Sequence, residues 1–124
     1  MKIALIIDDS KVDRNAISDL LKRVNIKVDN AVDGSDGIKK VKKTAYDLIV
    51  LDLKMPGVDG EQVLRVIKKV KTSLPVLIVS GYLTKARFLR LQKLGVKKFL
   101  TKPIDINKFY NAVKQLCPMN NEQN

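Results

Sequence analysis

Five polar side chains stand directly after short apolar runs of this 124-residue chain. Asp8 and Asp9 follow IALII, Asp52 follows LIVL, Ser80 follows PVLIV and Lys102 follows KFLT. If these runs are buried parallel strands, the five side chains share the carboxyl edge of one sheet, where open α/β sheets bind ligands. Carboxylates, a hydroxyl and an ammonium group at one edge indicate phosphoryl chemistry.

The three acids predict a divalent cation site. Close carboxylates repel each other unless a cation neutralises them, and oxygen-only ligands favour Mg²⁺ or Mn²⁺. We expect Asp9 and Asp52 to bind the ion directly, while Asp8 holds a coordinated water or orients its neighbour. Asp52 is also the best nucleophile candidate, because the turn at 54–57 follows it at once and leaves it open to a phosphoryl donor.

The remaining edge residues would act on the phosphoryl oxygens. The Lys102 ammonium can bridge the acceptor carboxylate and one oxygen, and the Ser80 hydroxyl can donate to another. Gly81 would let a backbone N–H group approach closely. Each of these residues is a weak signal by itself, but their joint placement after separate strands is a strong one.

Composition excludes several classes of function. The chain has no histidine, so it has no serine triad, no histidine general base and no phosphohistidine of its own, and most zinc sites are excluded. The lone Cys117 cannot form an internal disulfide and is interpreted as packing. A net charge of +11 favours anionic partners, but the basic residues are spread widely and aromatic residues make up 5% of the chain. Solvated helix faces are therefore the preferred interpretation of the charge, and nucleic acid is a possible but not favoured partner.

Extended and helical patterns alternate five times along the chain. They predict strands at 2–7, 26–31, 47–52, 75–79 and 97–100, with helices between them. The third and fourth strands are almost wholly apolar and should lie centrally, so right-handed crossovers give a doubly wound parallel sheet of order 2-1-3-4-5. The pattern predicts one domain at 1–117 and a disordered polar tail at 118–124. No apolar stretch is long enough to span a membrane, and a cytoplasmic location is expected.

The helices carry recognisable end signals. Ser10 and Asp13 fit a capping box, Thr84 and Asp105 can cap the fourth and fifth helices, and Gly95 fits a left-handed C-terminal position. The fourth helix is predicted to turn a set of apolar side chains inward. That set is Ala86, Phe88 or Leu89, and Leu94.

From Lys2 to Leu116 the chain resembles the receiver domain of two-component response regulators. The resemblance is carried jointly by IIDDS, LIVLDLKMPGVDG, LIVSG and LGVKKFLTKPID. It implies a flavodoxin-like fold with five helices. It also implies a switch that takes its phosphoryl group from a sensor histidine kinase or phosphotransfer protein and then controls an unknown downstream protein target.

The resemblance also implies the roles of individual residues. Asp52 would accept the phosphoryl group, and Asp8 and Asp9 would hold Mg²⁺ together with Asp52 and the backbone carbonyl of Lys54. Enzymatic activity would be limited to Mg²⁺-dependent self-phosphorylation and self-dephosphorylation.

A second set of implied roles concerns the output. Ser80 and Lys102 would bind the phosphoryl group, and Ser80 would form a switch pair with Phe99 that alters the face made by helix four, strand five and helix five. The Lys102–Pro103 peptide bond is expected to be cis, which would direct the lysine inward.

Two features depart from the pattern of the family. Ser80 lacks the methyl group of the more usual threonine, and the strong positive charge contrasts with many acidic members. The cation at Lys54 stands beside the acceptor, where we hypothesise that it favours anionic donors or alters the lifetime of the phosphoryl group.

Two other functions compete with this interpretation. A phosphatase of the haloacid-dehalogenase type also uses an aspartate nucleophile after a central strand, but it wants an acid where Lys54 stands and a cap domain that does not fit in 124 residues. A basic protein- or nucleic-acid-binding adaptor on the same fold is the second alternative. A dinucleotide site is disfavoured, because there is no glycine-rich phosphate loop.

Overall fold

The computed structural model describes residues 1–81 and 83–118, in which five strands and five helices alternate. In chain order the elements are β1 Ile3–Ile7, α1 Lys11–Lys22, β2 Lys27–Ala31, α2 Gly34–Lys43, β3 Leu48–Leu51, α3 Gly60–Val70, β4 Val76–Ser80, α4 Lys85–Lys93, β5 Lys98–Thr101 and α5 Ile106–Leu116.

The strands form one parallel sheet of order β2-β1-β3-β4-β5, as the sequence predicted. Every strand boundary lies within one residue of its predicted position. Strands β3 and β4 are buried along their whole length, whereas the outer strands β2 and β5 are partly exposed. Of the predicted tail, only Pro118 lies within the described residues.

Alternation along the strands divides the core into two layers. Leu5 and Ile7 of β1 point to the face covered by α2, α3 and α4, while Ala4 and Ile6 point to the face covered by α1 and α5. Cys117 is buried in the second layer, which agrees with its interpretation as packing. Burial raises the pKa of its thiol. None of the described helices is long and apolar enough to cross a membrane.

Helix ends follow the predicted signals with one correction. The side chains of Ser10, Thr84 and Asp105 accept hydrogen bonds from the first turns of α1, α4 and α5, and Gly95 is left-handed at φ +97°. The capping box is only half formed. Ser10 accepts from the Asp13 N–H, but the Ser10 N–H donates to Asp8 rather than to Asp13.

The predicted inward face of α4 is only partly correct, because Phe88 contacts Phe99 and Leu94 packs against the core, but the buried Leu91 was not predicted. Leu91 is the one fully buried residue of this helix, whereas Ala86 and Leu89 are exposed, and Phe88 and Leu94 are half-buried. The physical reason is position. Helix α4 lies near the partly exposed edge strand β5, so only a narrow stripe of its surface finds apolar partners.

Ion pairs supplement that narrow stripe. Arg87 of α4 forms an ion pair with Asp59, the N-cap residue of α3. One turn later, the Arg90 Nε donates to Glu61 Oε1 at 3.1 Å. Helix α4 is therefore attached to the start of α3 by charge as well as by apolar contact.

Candidate functional site

The carboxyl edge of the sheet brings three acids together. Asp8 and Asp9 follow β1, Asp52 follows the neighbouring strand β3, and one carboxylate oxygen from each lies within 4.8 Å of the others. Asp8 and Asp52 are buried and Asp9 is exposed. An all-oxygen donor set that is closed on one side and open to solvent on the other fits Mg²⁺, which usually keeps several of its waters.

Lys102 reaches into this cluster from the loop after β5. Its Nζ donates to Asp8 Oδ2 at 2.9 Å, to Asp52 Oδ2 at 3.2 Å and to Asp13 Oδ2 at 2.8 Å. The Lys102 backbone N–H donates to the carbonyl of Ser80 at 2.9 Å, which ties this loop to the end of β4. The following Lys102–Pro103 peptide bond is cis, as expected.

Burial and charge shift the ionisation of these groups in different directions. Burial, aided by the negative charge of Asp52, raises the pKa of Asp8, even though the Ser10 N–H and Lys102 donate to its carboxylate. The pKa of Asp13 is lowered by its hydrogen bond from Lys102. Burial alone would lower the pKa of Lys102, but the hydrogen bonds to Asp13 and Asp8 outweigh it and raise the pKa. The site at neutral pH is thus an ammonium group among several acids, and a second cation would relieve the remaining repulsion.

The segment after β3 fixes the Asp52 carboxylate. The Lys54 N–H donates to Asp52 Oδ1 at 3.2 Å, while the Lys54 residue itself is exposed. Helix α3 starts close to this segment. A Cβ atom on Gly60 would lie 2.5 Å from the Cα of Leu53 and 2.9 Å from the carbonyl oxygen of Asp52, so glycine is required there.

The other predicted residues lie where β4 and β5 end. Ser80 is buried at the end of β4, and a Cβ atom on Gly81 would meet open space. In the sheet register, Ser80 pairs with Thr101 and Ile78 pairs with Phe99. Because side chains alternate along a strand, Ser80 and Phe99 point to the same face of the sheet.

Phe99 also contacts helix α4. Its ring lies 4.5 Å from the ring of Phe88, measured between centroids and at an angle of 47°. Phe99 is half-buried and packs against the core of that face. A movement of Phe99 would therefore change how α4 rests on the sheet.

Asp13 is the site residue that the sequence analysis missed. It was interpreted only as part of a capping box, yet its carboxylate makes the shortest of the three contacts with Lys102. One signal could have revealed it. Helical side chains point back towards the helix N-terminus, and the N-terminus of α1 lies at the carboxyl edge of the sheet.

Comparison with known proteins identifies the family. The model of the response regulator receiver domain matches residues 4–114. The chain is 34% identical to Protein PilG of Pseudomonas aeruginosa, over 92% of this chain and 86% of that protein. It is 29% identical to sporulation initiation phosphotransferase F of Bacillus subtilis, over 93% of each chain.

A solved structure agrees with these relatives. The response regulator TrrA of Thermotoga maritima, crystallised in complex with Mg²⁺ and BeF, superposes with a TM-score of 0.84 at 27% identity, covering 94% of this chain and 99% of that chain. The chain therefore belongs to the response regulator receiver domain family, whose members serve phosphorylation-based signalling in two-component systems.

Proposed function

We propose that this protein is a phosphoacceptor switch in which Asp52 takes a phosphoryl group from the phosphohistidine of a sensor histidine kinase or phosphotransfer protein. The observation that carries the proposal is the convergence of Asp8, Asp9, Asp52 and Lys102 at one edge of the sheet. No histidine is present in the sequence, so the phosphohistidine lies outside these 124 residues.

The proposed reaction is an in-line displacement at phosphorus. An Asp52 carboxylate oxygen forms the new P–O bond, the P–N bond of the donor breaks, and its electron pair stays on the donor imidazole. Lys102, which already donates to Asp52, is placed to stabilise the phosphoryl oxygens, and the buried Ser80 is the candidate for a further hydrogen bond. We propose no chemistry beyond this phosphorylation and the hydrolysis of the resulting aspartyl phosphate.

Mg²⁺ is the proposed cofactor. Asp8, Asp9 and Asp52 would hold it with the backbone carbonyl of Lys54, and the bound ion would neutralise negative charge on the phosphoryl oxygens. The Lys54 side chain is exposed next to the acceptor, which supports the hypothesis that it influences donors or the lifetime of the phosphoryl group.

The proposed output is a change of the face formed by α4, β5 and α5. A phosphoryl oxygen that attracts the Ser80 hydroxyl would vacate space on the face that Ser80 shares with Phe99. Rotation of Phe99 into that space would remove its contact with Phe88 and loosen α4. A downstream protein that binds this face would thereby sense the state of Asp52.

The test of the acceptor is direct. The protein is incubated with phosphoramidate or acetyl phosphate, with and without Mg²⁺, and a base-labile phosphoryl group is located by mass spectrometry. We expect one phosphoryl group on Asp52 that requires Mg²⁺ and is absent in Asp52→Asn. The matched control is Asp33→Asn, which makes the same chemical change at the N-cap of α2, where asparagine caps equally well. An undiminished adduct in Asp52→Asn would contradict the proposal.

The test of the output uses beryllofluoride with Mg²⁺ as a stand-in for the phosphoryl group. We expect backbone amide shifts at the acid cluster and also at Phe99 and along α4. In Ser80→Ala the shifts should remain at the acid cluster and disappear from α4. Equal α4 shifts in both proteins would rule out the switch pair.

A second candidate function rests on the opposite edge of the sheet. Lys68, Lys93 and Lys97 border a groove of about 490 Å³ at the start of β4, and none of the described residues lining it is acidic. Burial, aided by the charge of Lys97, lowers the pKa of Lys68, whose ammonium donates to the carbonyl of Leu74 at 2.9 Å. An adaptor for anionic partners would bind generic DNA with an affinity that falls steeply with salt. The absence of such binding at low salt would eliminate this candidate.

A further inference from the structure

The Lys102 ammonium has no hydrogen-bond donor to spare. It carries three N–H groups and meets three carboxylates, those of Asp13, Asp8 and Asp52, at 2.8, 2.9 and 3.2 Å. A phosphoryl oxygen on Asp52 needs one of these donors. Phosphorylation itself removes the negative charge of the Asp52 carboxylate, so the donor that now meets Asp52 can follow the phosphoryl group. Asp8 and Asp13 keep their charges and compete with the phosphoryl oxygens for the Lys102 ammonium.

The two carboxylates that keep their charge differ in how easily Lys102 can leave them. The side chain of Asp8 is 2% exposed, whereas that of Asp13 is 39% exposed. Removing Lys102 from the buried Asp8 would take away its cationic partner and leave the Ser10 N–H to stabilise the charge, which is unfavourable. Water can replace Lys102 at Asp13, so the contact with Asp13 is the one that can be broken at the smallest free-energy cost.

Asp13 is also held apart from the reacting atoms. It lies in the first turn of α1, where its backbone N–H donates to the Ser10 side chain, and it is not among the acids that could share a metal ion. Its carboxylate interacts with the Lys102 ammonium and with the Ser10 side chain, neither of which is the acceptor. Loss of Asp13 would therefore leave the acceptor and the proposed metal ligands in place.

We propose that Asp13 is a positioning residue that restrains Lys102 and competes with the phosphoryl oxygens for its ammonium. The contact is autoinhibitory, because the incoming phosphoryl group must compete with Asp13 for the ammonium. This inference rests on the proposed function of Asp52 as acceptor. It concerns the rate and equilibrium of phosphorylation rather than its occurrence.

The test compares phosphorylation rates with phosphoramidate and Mg²⁺, followed by mass spectrometry. We expect Asp13→Asn to react about two- to fivefold faster than the wild type, the order of magnitude for loss of a half-exposed ion pair. Beryllofluoride should bind more tightly by a similar factor. Asp13→Glu, which keeps a carboxylate within reach of Lys102, should return both values to those of the wild type.

Asp19→Asn is the matched control for charge. Asp19 is an exposed acid of the same helix, and its side chain makes no ion pair with Lys102. If the gain in Asp13→Asn comes from release of Lys102, Asp19→Asn should remain within about 1.5-fold of the wild type. The gain should also vanish in the Lys102→Ala background, where there is no ammonium to release.

The outcomes separate this inference from the proposed function. Absence of an adduct in the wild type, or its persistence in Asp52→Asn, would overturn both. A normal Asp52 adduct that forms equally fast in wild type and Asp13→Asn would overturn only the role of Asp13. Faster phosphorylation of Asp13→Asn that persists in the Lys102→Ala background would also overturn the role of Asp13, because the gain would then arise from charge alone. Urea unfolding of each variant, with Asp13→Ser as a second substitution, shows whether a slow variant is simply unfolded.

Discussion

Helices α3 and α4 cover the same face of the sheet but are held there by different interactions. Helix α3 buries Gly60, Val63, Leu64 and Ile67, and its first residue packs against the backbone of Asp52 and Leu53, which we call the acceptor segment. Helix α4 buries Leu91 alone and is attached to the start of α3 by ion pairs. The acceptor side is therefore built by apolar packing, and the α4 side largely by polar and half-exposed contacts.

The difference assigns separate tasks to the two helices. Close-packed apolar contacts do not rearrange without a large loss of free energy, so they suit the segment that must hold Asp52. Exposed ion pairs are weak, and the tilted pair of Phe88 and Phe99 rings is easily rearranged. Such contacts suit α4, the helix that is proposed to move on phosphorylation. In the proposed switch, a single hydrogen bond from Ser80 to a phosphoryl oxygen would supply a free energy sufficient to change the position of α4.

The largest expected effect is at the packed side. Gly60→Ala places a Cβ atom against the backbone of Leu53 and Asp52, so α3 must move or the acceptor segment must distort. We expect a loss of about 2 to 3 kcal/mol in the free energy of unfolding, measured with urea. Gly81→Ala is the control, because its Cβ would meet open space, and it should change stability by less than about 0.5 kcal/mol. Equal losses in both variants would contradict the packing of α3 against β3.

Amide hydrogen exchange compares the two helices in one protein. We expect the amides of α3 around Leu64 to be protected about tenfold or more over those of α4 around Arg90, after correction for intrinsic exchange rates. The reason is that α4 can open locally by losing few buried contacts. Equal protection factors in the two helices would show that α4 opens only when the whole domain unfolds.

The strands, several helix starts and the acid cluster were predictable from the sequence because their signals are local. Runs such as LIVL fix the strands, the Ser10 and Asp105 side chains fix helix starts, and the strand order places Asp8, Asp52 and Lys102 at one edge. Each inference needs only a periodicity of two or 3.6 residues and the rule that parallel strands end together.

The α4 side was not predictable in the same way. The ion pair of Arg90 with Glu61 joins residues 29 positions apart, and no short pattern encodes which of many arginines and lysines finds that partner. Leu91 was missed because the helix has several apolar residues, and their choice of face depends on how β5 ends the sheet. Asp13 was missed for a related reason, since the capping pattern explained it before any tertiary contact was considered.

Alkaline pH probes a third region, the contact of β2 with Tyr46. The Tyr46 hydroxyl donates to Asp29 Oδ2 at 2.6 Å. This hydrogen bond links β2 to the segment that precedes β3. Burial, with the hydrogen bond to Asp29, raises the pKa of Tyr46 from 10.0 to about 12. The folded pKa is above the unfolded one, so the stabilisation is complete below pH 10 and is lost as the pH rises from 10 towards 12.

Tyr46→Phe isolates this contribution from the titration of the lysines, which both proteins share. We expect the wild type to lose about 1 kcal/mol of unfolding free energy relative to Tyr46→Phe between pH 9 and pH 11. Urea unfolding at each pH measures the difference. If the two proteins change in parallel, Tyr46 ionises as freely in the folded state as in the unfolded one.

The smallest effect tests the attachment of α4. A double-mutant cycle with Glu61→Gln and Arg90→Gln should give a coupling free energy of about 0.5 kcal/mol in stability at low salt. The coupling is small because the Arg90 side chain is 51% exposed. The coupling should fall towards zero in 1 M salt, where the screening length is only about 3 Å. Lys93 is the control partner, since it lies on the same helix and forms no ion pair with Glu61. A salt-independent coupling above about 2 kcal/mol would mean that α4 is fixed as firmly as α3, and the division between a rigid acceptor side and a responsive α4 side would then be lost.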